Sequence, residues 1–287
     1  MDCEKTGPGP VVMITGAASG IGRHWAGVLQ ARSEYRLLLG DVDEQGLRAA
    51  FRESERLRLF PLDVRRPADW QAMIAEALRR FGRIDYLFNI AGGGRPAFLL
   101  DQSLENLEWI LDVNLKGPLL GMRLVGEVMV RQGRGHIVNV ASLAGLSPTP
   151  GNSIYSAAKG GLRNASLAAA IEWRRRGVAV TVISPDLVDT PIMARHLKYG
   201  GEEVALTYTG VVLTVEDLER AFWEAMRKRP LEIVLPRWRG WLTKLNHAFP
   251  SLMLWLYEPL KRRGLKRLAQ IRRERGIFPD DLADKVP

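Results

Sequence analysis

Apolar and polar positions alternate along this chain in two rhythms. Short apolar runs, most of them rich in β-branched residues or leucine, recur at Val11–Thr15, Leu37–Asp41, Leu57–Leu62, Tyr86–Asn89, His136–Ala141, Val178–Ser184 and Glu232–Leu235. Such runs predict strands buried on both faces of a sheet. Between them lie stretches with helical spacing: Ile21, Trp25, Val28 and Leu29 mark one helical face, and Glu105–Arg131 and Tyr155–Arg176 predict long helices. Strands and helices in regular alternation predict an α/β fold, a single Rossmann-type doubly wound parallel sheet of about seven strands covered on both faces. The alternation stops near Pro236. The expected organisation is a flexible lead-in over 1–10, one catalytic domain over 11–236, a basic, aromatic helical extension over 237–276 and an acidic tail over 277–287.

The first two strands carry the first chemistry. Val11–Thr15 runs straight into Gly16-Ala17-Ala18-Ser19-Gly20-Ile21-Gly22, and a helix-like segment follows. A glycine-rich turn between strand and helix lets backbone N–H groups approach a pyrophosphate at the helix N-terminus. Its Gly-x-x-x-Gly-x-Gly spacing is a variant of the better-known dinucleotide fingerprint. The second strand ends in Asp41, nineteen residues after Gly22, where an acid binds adenosine ribose hydroxyls in such folds. A carboxylate there repels a 2′-phosphate, and Ser19 and Val42 bring no positive charge to receive one. The expected cofactor is therefore NAD rather than NADP.

The fifth run ends in Ala141-Ser142, and thirteen residues after Ser142 comes Tyr155, with Lys159 four further on. Residues four apart share a helix face. A lysine charge ~4 Å from the phenol, at an effective dielectric of ~20, is worth roughly 4 kcal/mol, about three pKa units in favour of the phenolate. The expectation is a tyrosine poised to give and take a proton, with Ser142 holding the reacting oxygen.

With these residues in place the chain resembles the short-chain dehydrogenase/reductase family over roughly residues 10–236. Thr15–Gly22 resembles its glycine motif. Leu62-Asp63-Val64 resembles its adenine-binding segment, which implies that Asp63 faces the adenine amino group. Asn89-Ile90-Ala91-Gly92 resembles Asn-Asn-Ala-Gly, with Ile90 in place of the second asparagine. Asn114 stands where the resemblance implies a proton-relay asparagine that positions a water, and Ser142, Tyr155 and Lys159 match the catalytic set. Pro185-Asp186-Leu187-Val188-Asp189-Thr190-Pro191 resembles the segment beside the nicotinamide, Pro-Gly-x-Val-x-Thr, with Asp186 in place of the glycine. The resemblance further implies cofactor contacts from Pro185, Val188 and Thr190, and a homodimer or homotetramer paired through the two long helices.

Composition changes the picture mainly at the C-terminal end. The net charge of the chain is +9, and residues 237–276, with eleven Lys/Arg against two acids, hold a charge of that size alone. Trp238, Trp241, Phe249, Leu252, Trp255 and Leu256 stand there beside Lys261–Arg267. The apolar run is far shorter than the ~20 residues that span a bilayer, and the mixture suits a segment lying at a membrane surface. A lid over the cleft and an oligomer contact are the other readings of this segment. No nucleic-acid module is present. Cys3 is the sole cysteine, so no intrachain disulfide forms, which suits a cytoplasmic protein. His24, His136, His196 and His247 are scattered and suggest no metal site. Substrate walls are expected from Gly93–Leu100, Leu143–Asn152 and Ile192–Val212, apolar inside, with Arg195, His196 and Lys198 forming a basic mouth.

The sequence thus predicts an NAD-dependent oxidoreductase for a hydrophobic, steroid- or lipid-like secondary alcohol or its ketone. The alternatives are an NADPH-type carbonyl reductase and a membrane-docked NAD-binding sensor without turnover.

Overall fold

The computed structural model describes residues 9–277; the lead-in before residue 9, with Cys3, and the acidic tail after 277 lie outside the described residues. Seven strands form one parallel sheet in the order β3-β2-β1-β4-β5-β6-β7. They are β1 Val11–Thr15, β2 Arg36–Asp41, β3 Leu57–Pro61, β4 Tyr86–Asn89, β5 Gly135–Val140, β6 Val178–Pro185 and β7 Glu232–Leu235. All seven fall within one residue of the runs read from the sequence. Every residue of β1 and β5 is buried, which is why those runs show no alternation.

The helices are α1 Gly20–Gln30, α2 Glu44–Ala50, α3 Pro67–Phe81, α4 Leu104–Leu111, α5 Gly117–Gln132, α6 Ser153–Trp173, α7 Pro191–Tyr199, α8 Val215–Lys228, α9 Arg237–Ala248 and α10 Ser251–Glu274. One face of the sheet is covered through Trp25, Leu47 and Phe222 of α1, α2 and α8. The other is covered through Trp70, Val125 and Leu162 of α3, α5 and α6. The predicted helix Glu105–Arg131 is α4 and α5 joined by a π turn at Asp112–Lys116. The strand order reverses between β1 and β4, and the cleft of such a sheet opens above the strand ends at that point.

The extension is two helices, α9 and the 24-residue α10. Its Leu268 and Ile271 join Met193, Leu197, Val204 and Tyr208 in a third apolar cluster. Residues Glu202–Thr209, a 3₁₀ segment, form the seat for α10. Gly264 makes that seat possible, because a Cβ there would run into the Ala205 carbonyl oxygen.

Candidate active site

The glycine turn is pressed against the end of β4. Gly16 has φ +73°, and a Cβ on it would lie 2.8 Å from Ala91 Cα. A Cβ on Gly22 would collide with the Gly16 carbonyl oxygen. Thr15 Oγ1 accepts from the N–H groups of Ile90 at 3.1 Å and Ala91 at 3.0 Å, fixing the turn from beneath. Asp41 fixes it from the side, its carboxylate accepting from Ala18 N at 2.8 Å and Asp43 N at 2.9 Å. Ser19 is extended and its side chain caps nothing, so the first N–H groups of α1 have no side-chain acceptor. A cradle without Cβ atoms, opening onto a helix N-terminus beside an acid, matches the pyrophosphate and ribose of a nicotinamide dinucleotide.

Ser142 follows β5 in extended conformation, and its Oγ accepts from Ala144 N at 3.2 Å. The first two turns of α6 carry Tyr155 and Lys159. Lys159 is buried, its Nζ donating to Val140 O at 2.9 Å and standing 5.8 Å from the centre of the Tyr155 ring. This geometry corrects the electrostatic expectation. The ammonium is committed to a β5 carbonyl, and burial governs both groups. Burial pushes the Tyr155 phenol up to about 12, opposed only by its hydrogen bond with Ser142. It pulls Lys159 down to about 8.

Asn114 sits in the π turn, fully buried. Its Nδ2 donates to Ile110 O and to Gly93 O, both at 2.9 Å, and its Oδ1 accepts from Gly93 N at 3.2 Å. Its amide therefore ties the Gly93 backbone to the π turn beside the cavity. A Cβ on Gly92 would lie 2.9 Å from Asn114 Oδ1 and 3.4 Å from Lys159 Nζ.

A cavity of about 500 Å³ is lined by Ile21, Gly92, Asn114, Ser142, Tyr155, Lys159, Pro185, Val188 and Thr190 among others. The other cofactor residues read from the sequence lie outside it. Gly16, Ser19, Gly20, Gly22 and Asp41 belong to the adjoining cradle. Arg65 holds the Asp63 carboxylate at 2.7 Å and keeps its pKa below the ordinary carboxylate value, mainly through their hydrogen bonds. Val64 is core. The Asn89 side chain is turned into the sheet, donating to Asn139 Oδ1 at 2.8 Å and Pro118 O at 3.3 Å, so it ties β4 to β5. Ala91 serves through its backbone, as the partner of Thr15. Among the described residues no group of three or more His, Cys, Asp or Glu is placed to hold a metal.

A family model described as short chain dehydrogenase matches residues 10–198. The chain belongs to that family. It is 37% identical over 190 residues to the 2,5-dichloro-2,5-cyclohexadiene-1,4-diol dehydrogenase LinX of Sphingobium indicum, covering 65% of this chain and 76% of that one. It is 35% identical over 185 residues to a 3-alpha-(or 20-beta)-hydroxysteroid dehydrogenase of Mycobacterium tuberculosis, covering 64% and 71%. A short-chain dehydrogenase/reductase from Burkholderia phymatum, solved in complex with NAD, superposes with a TM-score of 0.74 at 30% identity, over 85% of this chain and 95% of that one. The protein is thus an oxidoreductase of the alcohol dehydrogenase and ketoreductase type, dependent on NAD or NADP.

In this short-chain dehydrogenase the cavity walls come partly from the segments expected to line a substrate site. Gly93, Gly94, Leu143, Ala144, Ile192 and Leu206 line the cavity. The basic mouth is differently built. Arg195 and Lys198 face solvent, while His196 is buried with both ring nitrogens unpartnered, and burial lowers its pKa to about 4. The wall not foreseen in detail is the extension, which contributes Trp238, Arg239, Leu242, Leu245, Leu252 and Leu256 among others. Its signal was the aromatic, apolar character of 238–256 directly after the last strand.

Proposed function

We propose that this protein is an NAD-dependent oxidoreductase interconverting a hydrophobic secondary alcohol and its ketone. The observation that carries the reading is a single cavity in which Ser142, Tyr155 and Lys159 face a mostly apolar wall. When bound, the nicotinamide supplies the hydride donor or acceptor. The protein does the rest. Ser142 Oγ hydrogen-bonds the substrate oxygen. The Tyr155 phenol passes a proton to or from that oxygen. Lys159, anchored on Val140 O with its pKa lowered by burial, would hold the nicotinamide ribose beside the phenol. Asn114 and the Gly92–Gly94 loop hold the shape of the wall. The cyclic alcohols named for LinX and the hydroxysteroid dehydrogenase support a ring-bearing substrate.

Asp41 supports NAD over NADP, because a carboxylate at the end of β2 beside the glycine turn, fixed by two backbone N–H groups, would repel a 2′-phosphate. With NAD as the cofactor, oxidation of the alcohol is the favoured direction. The extension supports residence at a membrane surface: Trp241, Leu254 and Trp255 are 77%, 83% and 82% exposed. No helix among the described residues is long and apolar enough to cross a membrane. A homodimer or homotetramer paired through α4–α5 and α6 belongs to the same reading.

The test is turnover of a panel of secondary alcohols, from short and linear to polycyclic, with NAD and with NADP. Apolar cyclic alcohols with NAD are expected to give the highest kcat/KM, and Asp41→Ala to narrow the gap between cofactors. Absence of turnover across the panel, with NAD still bound, points to a sensor instead; a wild-type preference for NADP overturns the ribose assignment.

A further inference from the structure

Two departures from the family pattern, Asp186 and the extension, meet in space. Asp186 follows β6 in the segment expected beside the nicotinamide, and its side chain is 8% exposed. Its Oδ1 accepts from Leu187 N at 3.0 Å and its Oδ2 from Val211 N at 3.1 Å. Gly210 lies so close to the carboxylate that a Cβ there would strike it. Burial raises the pKa of this carboxyl, and the charge opposing that rise belongs to Arg239 of α9. Arg239 Nε lies 2.7 Å from Asp186 Oδ2, and its Nη1 donates to Thr209 O at 3.3 Å. The contact is one of charge more than of aligned hydrogen bonding, since Nε–H has no acceptor in line.

The far end of the extension grips the same segment. Arg275, just past α10, pairs with Asp189 through two contacts of 3.1 and 2.6 Å. Arg272 donates through Nε to Leu197 O at 2.8 Å and through Nη2 to Gly200 O. The extension is therefore tied at both ends to residues 186–200, and its apolar side chains close the cavity in between.

We infer that Asp186 and Arg239 form one positioning device, through which the extension sets the nicotinamide segment and holds the wall that selects substrates by apolar bulk. This rests on the proposed oxidoreductase reading for the identity of the segment's neighbour. The reason for two residues acting as one lies in burial. A buried carboxylate that loses its arginine is left with an uncompensated charge, which is worse than losing both partners together. Without Arg239 the Asp186 carboxylate would keep only the N–H groups of Leu187 and Val211, so its charge would bear on the nicotinamide segment through Leu187. A glycine at 186 would need no such partner.

The experiment measures NAD affinity by calorimetry, together with kcat and KM for one short and one bulky apolar alcohol. The variants are Asp186→Gly, Arg239→Ala, Arg239→Lys and the double Asp186→Gly/Arg239→Ala. Arg239→Ala is expected to weaken NAD binding by about tenfold or more, with Arg239→Lys intermediate. The double variant should return to within about threefold of wild type in NAD affinity while KM for the bulky alcohol stays raised and kcat holds. Asp186→Asn/Arg239→Gln, which removes both charges and keeps polar side chains at both positions, should behave like the double variant if the latter folds poorly. An unchanged NAD affinity in Arg239→Ala, or a double variant as weak as the product of the singles, overturns the inference. Because NAD affinity is read without turnover, an inactive wild type with the coupling intact would sink the oxidoreductase reading alone.

Discussion

Single residues show how burial redirects chemistry that the sequence suggests. Tyr155 and Lys159 were legible from their spacing, and both sit in the cavity, but their electrostatics were not. A four-residue spacing says which helix face two side chains share; it does not say that Val140 O lies closer to the ammonium than the phenol does. His136 makes a similar point. Thr181 Oγ1 gives its proton to Pro230 O at 2.6 Å, so it must accept from His136 Nε2 at 2.9 Å. Nδ1 is then the bare nitrogen, and it has no partner. A second proton would be buried without an acceptor, and burial lowers the pKa to about 3. The folded state thus refuses a proton that the unfolded chain accepts below about 6.5. Stability contributed by the neutral form is complete above that pH and is lost as pH falls toward 3. Between pH 7 and 5 the expected loss from this residue is roughly 2 kcal/mol. Urea denaturation of His136→Gln should show a correspondingly flatter pH dependence; parallel curves for variant and wild type would rule the assignment out.

At the scale of elements, the parallel sheet was readable because its strands are buried on both faces, so apolar runs coincide with strands almost residue for residue. The glycine turn was readable because only glycine tolerates the approach to Ala91 and the Gly16 carbonyl. The break at Asp112–Lys116 was not: a π turn changes no apolar spacing strongly enough to be seen, although it is what swings Asn114 inward. The reach of α10 was hidden by charge. Gly264, Leu268 and Ile271, at positions i, i+4 and i+7, form a narrow buried stripe inside a stretch crowded with arginine and lysine. The stripe predicts that Gly264→Val lifts α10 from its seat on the 3₁₀ segment. The expected loss is about 1–3 kcal/mol, the usual range for overpacking a tight contact. It should appear as a lower Tm together with a raised KM for bulky alcohols. An unchanged Tm would mean that α10 contributes nothing to holding this wall.

On the scale of the whole molecule, charge and exposed apolar surface coincide. The extension turns one side of α9 and α10 inward to close the cavity and leaves Trp238, Trp241, Phe249, Leu254 and Trp255 exposed around it. Residues 261–267 carry five positive charges; Lys261 is paired with Glu202 and Glu258, and each of the other four is worth ~1 kcal/mol near an anionic surface at low salt. Truncation at 237 is a poor test of this surface, because it strips the cover from Met193, Leu197, Val204 and Tyr208. Trp241→Ala/Trp255→Ala is better, since neither side chain lines the cavity. Pelleting with vesicles containing phosphatidylserine should fall by about tenfold or more in that variant, while turnover of a short soluble alcohol is kept. Wild-type protein that fails to pellet, or that changes oligomeric state in the variant, would assign the patch to a second copy instead.

The account as a whole turns on Tyr155 as the group that moves the proton within a cofactor site that does not depend on it. The most direct measurement is paired: NAD affinity by calorimetry and steady-state oxidation of the best alcohol, for wild type and Tyr155→Phe. The predicted result is NAD affinity within about threefold of wild type and a kcat reduced by at least about a thousandfold, a change of ~4 kcal/mol in the barrier. A Tyr155→Phe enzyme that keeps its turnover within about tenfold of wild type, a loss of only ~1.4 kcal/mol, would place the acid–base group elsewhere and contradict the account.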